Sequence, residues 1–239
     1  MLIRIYLEEE IANIGQEITL SDKQCNYLHN VLRLKPEDTF NVFDNKNGEF
    51  LAKISQLSHK KGTVYIEKKL YEYNQTPDIW LLFSPLKKDK TDMVIQKATE
   101  LGVRKIIPTI TDYTNSDKIR TDRFISQSIE ASEQSRRTDI PEITQQQKLK
   151  EIIQNWEQDR ILFFLDESGN GENIFEILSK NKGKAAIIVG PEGGFSTKEQ
   201  QLLSRQPFVK KISLGKRILR AETAVISALS CWQATNGDW

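Results

Sequence analysis

At 239 residues, with 38% hydrophobic and 28% charged positions, the chain is long enough for one large domain or two modest ones and apolar enough for a substantial core. Thirty-four Lys and Arg against 33 Asp and Glu leave a formal charge of +1, which excludes a uniformly basic nucleic-acid binder and confines any RNA affinity to local patches. No apolar run approaches the roughly 18 residues of a membrane helix, and two widely separated cysteines, Cys25 and Cys231, argue against a disulfide framework or a metal cluster. Met1-Leu2-Ile3-Arg4-Ile5-Tyr6 runs straight into strand-like sequence without a signal-peptide pattern, so a cytoplasmic location with no membrane partner is expected.

The first 73 residues alternate short β-rich runs with turns: Ile3–Leu7, Thr39–Phe43, Phe50–Leu57 and Thr63–Leu70. Asn47-Gly48, in the segment from Asp44, is a strong hairpin signal between the second and third of these. A small antiparallel sheet or barrel is expected. One helix interrupts it from Ser21, a capping residue, to Leu34, with Tyr27, Val31 and Leu34 on one face and Pro36 stopping it. Past Asn74-Gln75-Thr76-Pro77 the hydrophobic period changes, which predicts domains over 1–73 and 74–239.

In the second part strands and helices alternate. Ile79–Phe83 and Val103–Ile110 are strands flanking a helix over Asp92–Leu101, with Gly102 past its end. Helices over Asp122–Arg136 and Leu149–Trp156 follow. Ile161–Leu165 and Ala185–Val189 are continuous apolar runs of the kind buried in parallel sheets. Ser196-Thr197-Lys198-Glu199 matches a capping box and opens a helix; Phe208–Leu214 is the last strand and Ala221–Thr235 the last helix. The order predicts an α/β domain with a largely parallel sheet.

Two strand-to-helix turns stand out, Gly190-Pro191-Glu192-Gly193-Gly194-Phe195 and Leu214-Gly215 through Arg220-Ala221-Glu222-Thr223. Ligands of open parallel sheets sit at such turns, although a glycine turn serves equally as a bare reversal of the chain. The spacing matches neither a P-loop, which ends in Gly-Lys-Ser/Thr, nor the dinucleotide fingerprint Gly-x-Gly-x-x-Gly. Arg220 and Glu222 have two readings, an ion pair bracing the helix start or a charge-stabilising arginine beside a proton-accepting carboxylate. Basic patches run from Ser84 to Lys105, six cations against three acids, and from Val209 to Arg220, five against none; each alone also suits a solvated face. A further polar cluster spans Glu133-Gln134-Ser135-Arg136-Arg137. His29 and His59 lack any nucleophile or acid in a triad arrangement and are expected to be structural or surface residues.

Taken with Ile95-Gln96-Lys97-Ala98-Thr99-Glu100-Leu101-Gly102-Val103, these segments, in this order, resemble the RsmE family of S-adenosyl-L-methionine (SAM)-dependent methyltransferases, which methylate N3 of a uridine in 16S ribosomal RNA. Arg4-Ile5-Tyr6 and His29-Asn30-Val31-Leu32-Arg33 extend the resemblance over essentially the whole chain. It implies an N-terminal PUA-like β-barrel that binds RNA and a C-terminal SPOUT α/β domain tied in a trefoil knot. It also implies a homodimer acting on 16S rRNA, in the assembled small subunit. SAM is then expected against Leu165, Gly190, Glu192, Gly194, Leu214, Ile218, Leu219 and Arg220, with Arg220 and Glu222 catalytic and Arg4, Arg33, Lys87, Lys90, Gln96, Lys97 and Arg136 on RNA. Lys88, where members often have glycine, departs mildly from the pattern. A ribose 2'-O methyltransferase of the same fold, and a non-catalytic RNA-binding or ribosome-assembly factor, are the rival readings.

Overall fold

The computed structural model describes residues 3–115, 120–166 and 171–239, which form two compact units. The first comprises Met1–Gln75 and Ser132–Ile140, the second Thr76–Ala131 and Pro141–Trp239.

The first unit is a sheet of β1 (Arg4–Tyr6), β2 (Glu17–Thr19), β3 (Thr39–Phe43), β4 (Glu49–Leu57) and β5 (Gly62–Tyr71), in the order β1-β3-β4-β5-β2. β1 lies parallel to β3 and every other pairing is antiparallel. Alternation buries one side of each strand: Ile5, Val42, Ala52, Ile54, Val64 and Ile66 share one core. Register shifts along the β4–β5 pair bend it around that core. β2, which the periodicity did not mark, is three residues long and buries only Ile18.

The helix expected from Ser21 to Leu34 is broken. Ser21 caps α1 (Asp22–Asn26) through a full capping box with Gln24, but Tyr27–Val31 winds as a π-helix, with Leu32 N–H bonding to Tyr27 O at 3.0 Å. The wider turn rotates the stripe. Leu28 is fully buried, Val31 is 61% exposed rather than inward, and Arg33 ends the segment at φ 57°.

Arg4 explains why Ser132–Ile140 belongs to this unit. Its guanidinium donates to Glu49 Oε2 at 2.8 and 3.0 Å, and to the carbonyls of Ser132, Glu133 and Arg137 at 2.8 to 3.0 Å. Those bonds use all five of its donors. Tyr6 N–H donates to Glu133 Oε1 at 2.9 Å.

The second unit is an all-parallel sheet built from β6 (Ile79–Phe83), β7 (Lys105–Ile110), β8 (Glu142–Ile143), β9 (Gln147–Lys148), β10 (Ile161–Leu165), β11 (Glu172–Asn173), β12 (Ala185–Val189) and β13 (Val209–Ser213). The order is β11-β13-β10-β12-β6-β7-β8, with β9 also on β7. Both faces are covered, as the unbroken apolar runs require. On one, Ala185, Ile187 and Val189 pack with α2 (Lys88–Glu100), Phe124 of α3 (Thr121–Ser135), α5 (Ile174–Lys180) and α7 (Ala221–Asn236). On the other, Ala186 and Ile188 pack with α4 (Leu149–Gln154) and with Leu203 of α6 (Thr197–Ser204). α2 begins four residues before the expected Asp92, and α5 and the two-residue strands had no counterpart in the periodicity.

Candidate active site

β10, β12 and β13 are neighbours in the sheet, and the segments after their carboxyl ends line one cavity of about 490 Å³. Leu165 and Asp166 come from the first, Gly190, Pro191, Glu192, Gly194 and Phe195 from the second, and Leu214 through Ala221 from the third. The size lies within the range of small-molecule sites.

The glycine loop is shaped by what surrounds it. A Cβ on Gly190 would stand 2.8 Å from Cε2 of Phe195, whose ring lies edge-on to Phe164 with centroids 5.1 Å apart. Gly194 adopts φ 69° and its N–H bonds to Pro191 O at 2.9 Å, a left-handed position that suits glycine. The chain then enters α6 through the expected capping box: Ser196 Oγ accepts from Glu199 N–H, and Glu199 Oε2 accepts from Ser196 N–H at 2.9 Å. Glu199 Oε1 accepts from Asp112 N–H at 2.9 Å, and the Ser196 hydroxyl donates to Asp112 Oδ2, so the helix start is tied to the segment after β7.

All eight positions singled out for a cofactor line this cavity. Leu165, Leu214 and Leu219 are half-buried apolar walls, and Ile218 is 81% exposed at the mouth. Irregular backbone from Leu214 to Arg220 leaves its amides and carbonyls outside any ladder. Glu192 pairs with Lys90 at 3.0 Å. A hydrogen bond from its own backbone N–H outweighs burial and, with Lys90, holds its carboxyl below the usual range.

Arg220 and Glu222 are not an ion pair among the described residues. Arg220 is exposed at the N-cap of α7 and makes no side-chain cap bond. Glu222 sits in the first turn, and its Oε2 is buried with no hydrogen-bond partner among the described residues. A carboxylate there is favoured by the helix dipole, and its unused lone pairs require a donor from elsewhere.

The positions expected on RNA divide. Arg33, Lys87, Gln96 and Arg136 are exposed, Lys90 is held by Glu192, and Lys97 by Glu100 at 2.8 Å. Arg4 is the correction: at 4% exposure, with every donor committed inside the first unit, it has nothing left for a phosphate. Arg137, in the polar cluster ending α3, is likewise buried against Asp139 at 2.9 Å. His29 and His59 are exposed and joined through Asn30. Burial raises the pKa of both Cys25 and Cys231, which keeps them thiols.

The cavity also has walls that pattern reading did not pick out: Asp166, Gln200, Lys216 and Arg217. Lys216 and Arg217 lay in a charge run already noted. Gln200, whose Nε2 bonds to Phe195 O at 3.0 Å, had as its only signal a place one turn after the cap Ser196.

Residues 73–233 match the family model of an RNA methyltransferase domain, and residues 20–67 that of an RNA methyltransferase PUA domain. The chain is 34% identical over 229 residues to a ribosomal RNA small subunit methyltransferase E from Rickettsia conorii, covering 95% of this chain and 93% of that protein. A methyltransferase from Legionella pneumophila solved with bound SAM superposes with a TM-score of 0.91 at 33% identity, covering 100% of both chains. A ribosomal RNA small subunit methyltransferase E from Neisseria gonorrhoeae, bound to S-adenosyl methionine, does so with 0.91 at 28% identity, also covering 100% of both.

Proposed function

The chain belongs to the ribosomal RNA small subunit methyltransferase E family, and from that premise we propose that it transfers a methyl group from SAM to N3 of a uridine in 16S rRNA. The observation that carries this reading is the convergence of three strand-end segments, distant in sequence, on one cavity of cofactor size. In the same proposal the chain acts in the cytoplasm as a homodimer on the assembled small subunit, with the cavity at the loops of a SPOUT knot and the first unit as the PUA-like barrel.

The residues present fit SAM. Leu165, Val189, Ile212, Leu214 and Leu219 offer apolar walls to a flat base, and Asp166 and Glu192 bring two carboxylates to a cavity that would hold a sulfonium cation. SAM supplies an electrophilic methyl group when bound. The protein's task is the acceptor. The imide N3–H of uracil must lose its proton, and the charge then spreads onto two carbonyl oxygens. Arg220, exposed at the cavity and in no ion pair among the described residues, is assigned to those oxygens. Glu222, with its unpartnered Oε2, is assigned to accept the proton or to orient Arg220 or the base. Because N3 lies on the pairing edge, the base must be unpaired or extruded when it reacts.

Incubating the purified protein with labelled SAM and small subunits lacking the modification, then locating the label, tests the reading. Label in N3-methyluridine is expected. Label on ribose would move the chain to the 2'-O methyltransferases, and no label with RNA bound would make it a binding factor.

A further inference from the structure

A second concavity, of about 570 Å³, opens between α4 and α6 in the same unit, beside the segment that follows β7. Lys148, Lys150, Lys198 and Arg205 line it, against two carboxylates, Asp112 and Glu199. Both carboxylates are already engaged in the capping network of Ser196. The four cations are exposed, and none makes an ion pair among the described residues. We propose that this groove holds the phosphodiester backbone of the RNA substrate, a proposal that rests on the functional reading above.

Three features favour that occupant. The cations come from two segments far apart in sequence and meet only in the fold, so the groove is not a surface charge run but a concave surface with cations in excess, which concentrates anions. They are spread over two helices and the residues capping them, and are exposed, which suits a chain of phosphates releasing counterions better than one small anion held by buried donors. The capping box already occupies the start of α6, so the usual small-anion seat at a helix N-terminus is taken by Glu199.

The groove also lies where a substrate strand is needed. α6 turns Gln200 toward the first cavity, while Lys198, Gln201, Leu202 and Arg205, spaced as one helical face, line the second. The two spaces are thus separated by about one helix diameter, roughly 10–12 Å. A strand anchored on Lys198 and Arg205 passes close to the glycine loop where its base must react. Phosphate contacts of this kind set the register of the strand and leave base choice to the cavity.

The test is the triple variant Lys150→Gln, Lys198→Gln, Arg205→Gln, compared with the unaltered protein in binding and methylating 16S RNA that lacks the modification. Calorimetric SAM binding and thermal denaturation, both expected to match the unaltered protein, show that the fold is intact. RNA affinity is expected to fall roughly tenfold or more, and the slope of log affinity against log salt to shrink by about 0.7–0.9 for each phosphate no longer neutralised. KM for RNA should rise with little change in kcat. An unchanged salt slope and KM in a variant that binds SAM normally overturns the groove while leaving the methyltransferase reading intact. Inorganic phosphate binding tightly to the unaltered protein but not to the variant, with RNA affinity unmoved, also overturns it, in favour of a small-anion site. Failure of the unaltered protein to methylate any RNA sinks the functional reading itself.

Discussion

Arg220 stands exposed at a helix N-cap beside a cavity, and Arg4 lies in the core of the other unit with all five donors used. Both were read as functional from sequence, because a charged residue carries no mark of its own burial. Arg220→Ala is expected to lower the single-turnover rate at saturating SAM and RNA by about 10²–10³-fold, the usual loss when one donor to a developing oxyanion is removed. Cofactor affinity, measured by calorimetry, should change far less; a rate within a few fold of the unaltered protein would remove Arg220 from the chemistry. Arg4→Met is expected to act on stability instead. It strands Glu49 Oε2 and three backbone carbonyls, and breaking a buried pair from one side costs about 3–5 kcal/mol. Denaturant unfolding measures that loss. A stable variant with weakened RNA binding would reverse the assignment.

At the scale of elements, legibility followed locality. The capping box at Ser196 and Glu199, and the apolar strands β10 and β12, were readable because a few neighbouring residues determine them. The π-helix at Tyr27–Val31 was not, since a single residue's shift in bonding leaves the apolar spacing almost unchanged while turning Val31 outward. α5, seven residues with Ile174, Ile177 and Leu178 buried, is too short for periodicity to separate it from its surroundings. The glycine loop shows the limit from the other side: its turn was legible, its tightness was not. Gly190→Ala would drive a methyl against Phe195, which Phe164 hinders from retreating. Overpacking of this kind costs typically 1–3 kcal/mol, and the displaced loop should bind SAM about tenfold more weakly. Equal affinity in a calorimetric titration would show that the ring gives way without moving the loop.

For the whole molecule, the return of Ser132–Ile140 to the first unit had no counterpart in a sequence reading that divided the chain once, after residue 73. That return depends on Arg4 and Glu133, partners 127 to 133 residues apart along the chain. If the 490 Å³ cavity is the cofactor site, SAM at about a hundredfold its dissociation constant should stabilise the second unit by roughly 2.7 kcal/mol. Hydrogen exchange should then slow in β10, β12 and β13. Protection confined to the first unit would place the cofactor elsewhere.

The amino-acid sequence by itself determined the strand-and-helix order, the two candidate turns and the exclusion of phosphate-loop and dinucleotide patterns, because each rests on residues a few positions apart. Only the tertiary structure decided that those turns share one cavity with the end of β10, that Arg4 is interior, that Glu222 Oε2 is buried without a partner among the described residues, and that four separated cations converge beside α6. Burial and convergence are properties of packing between distant segments, and no local spacing encodes which of them meet.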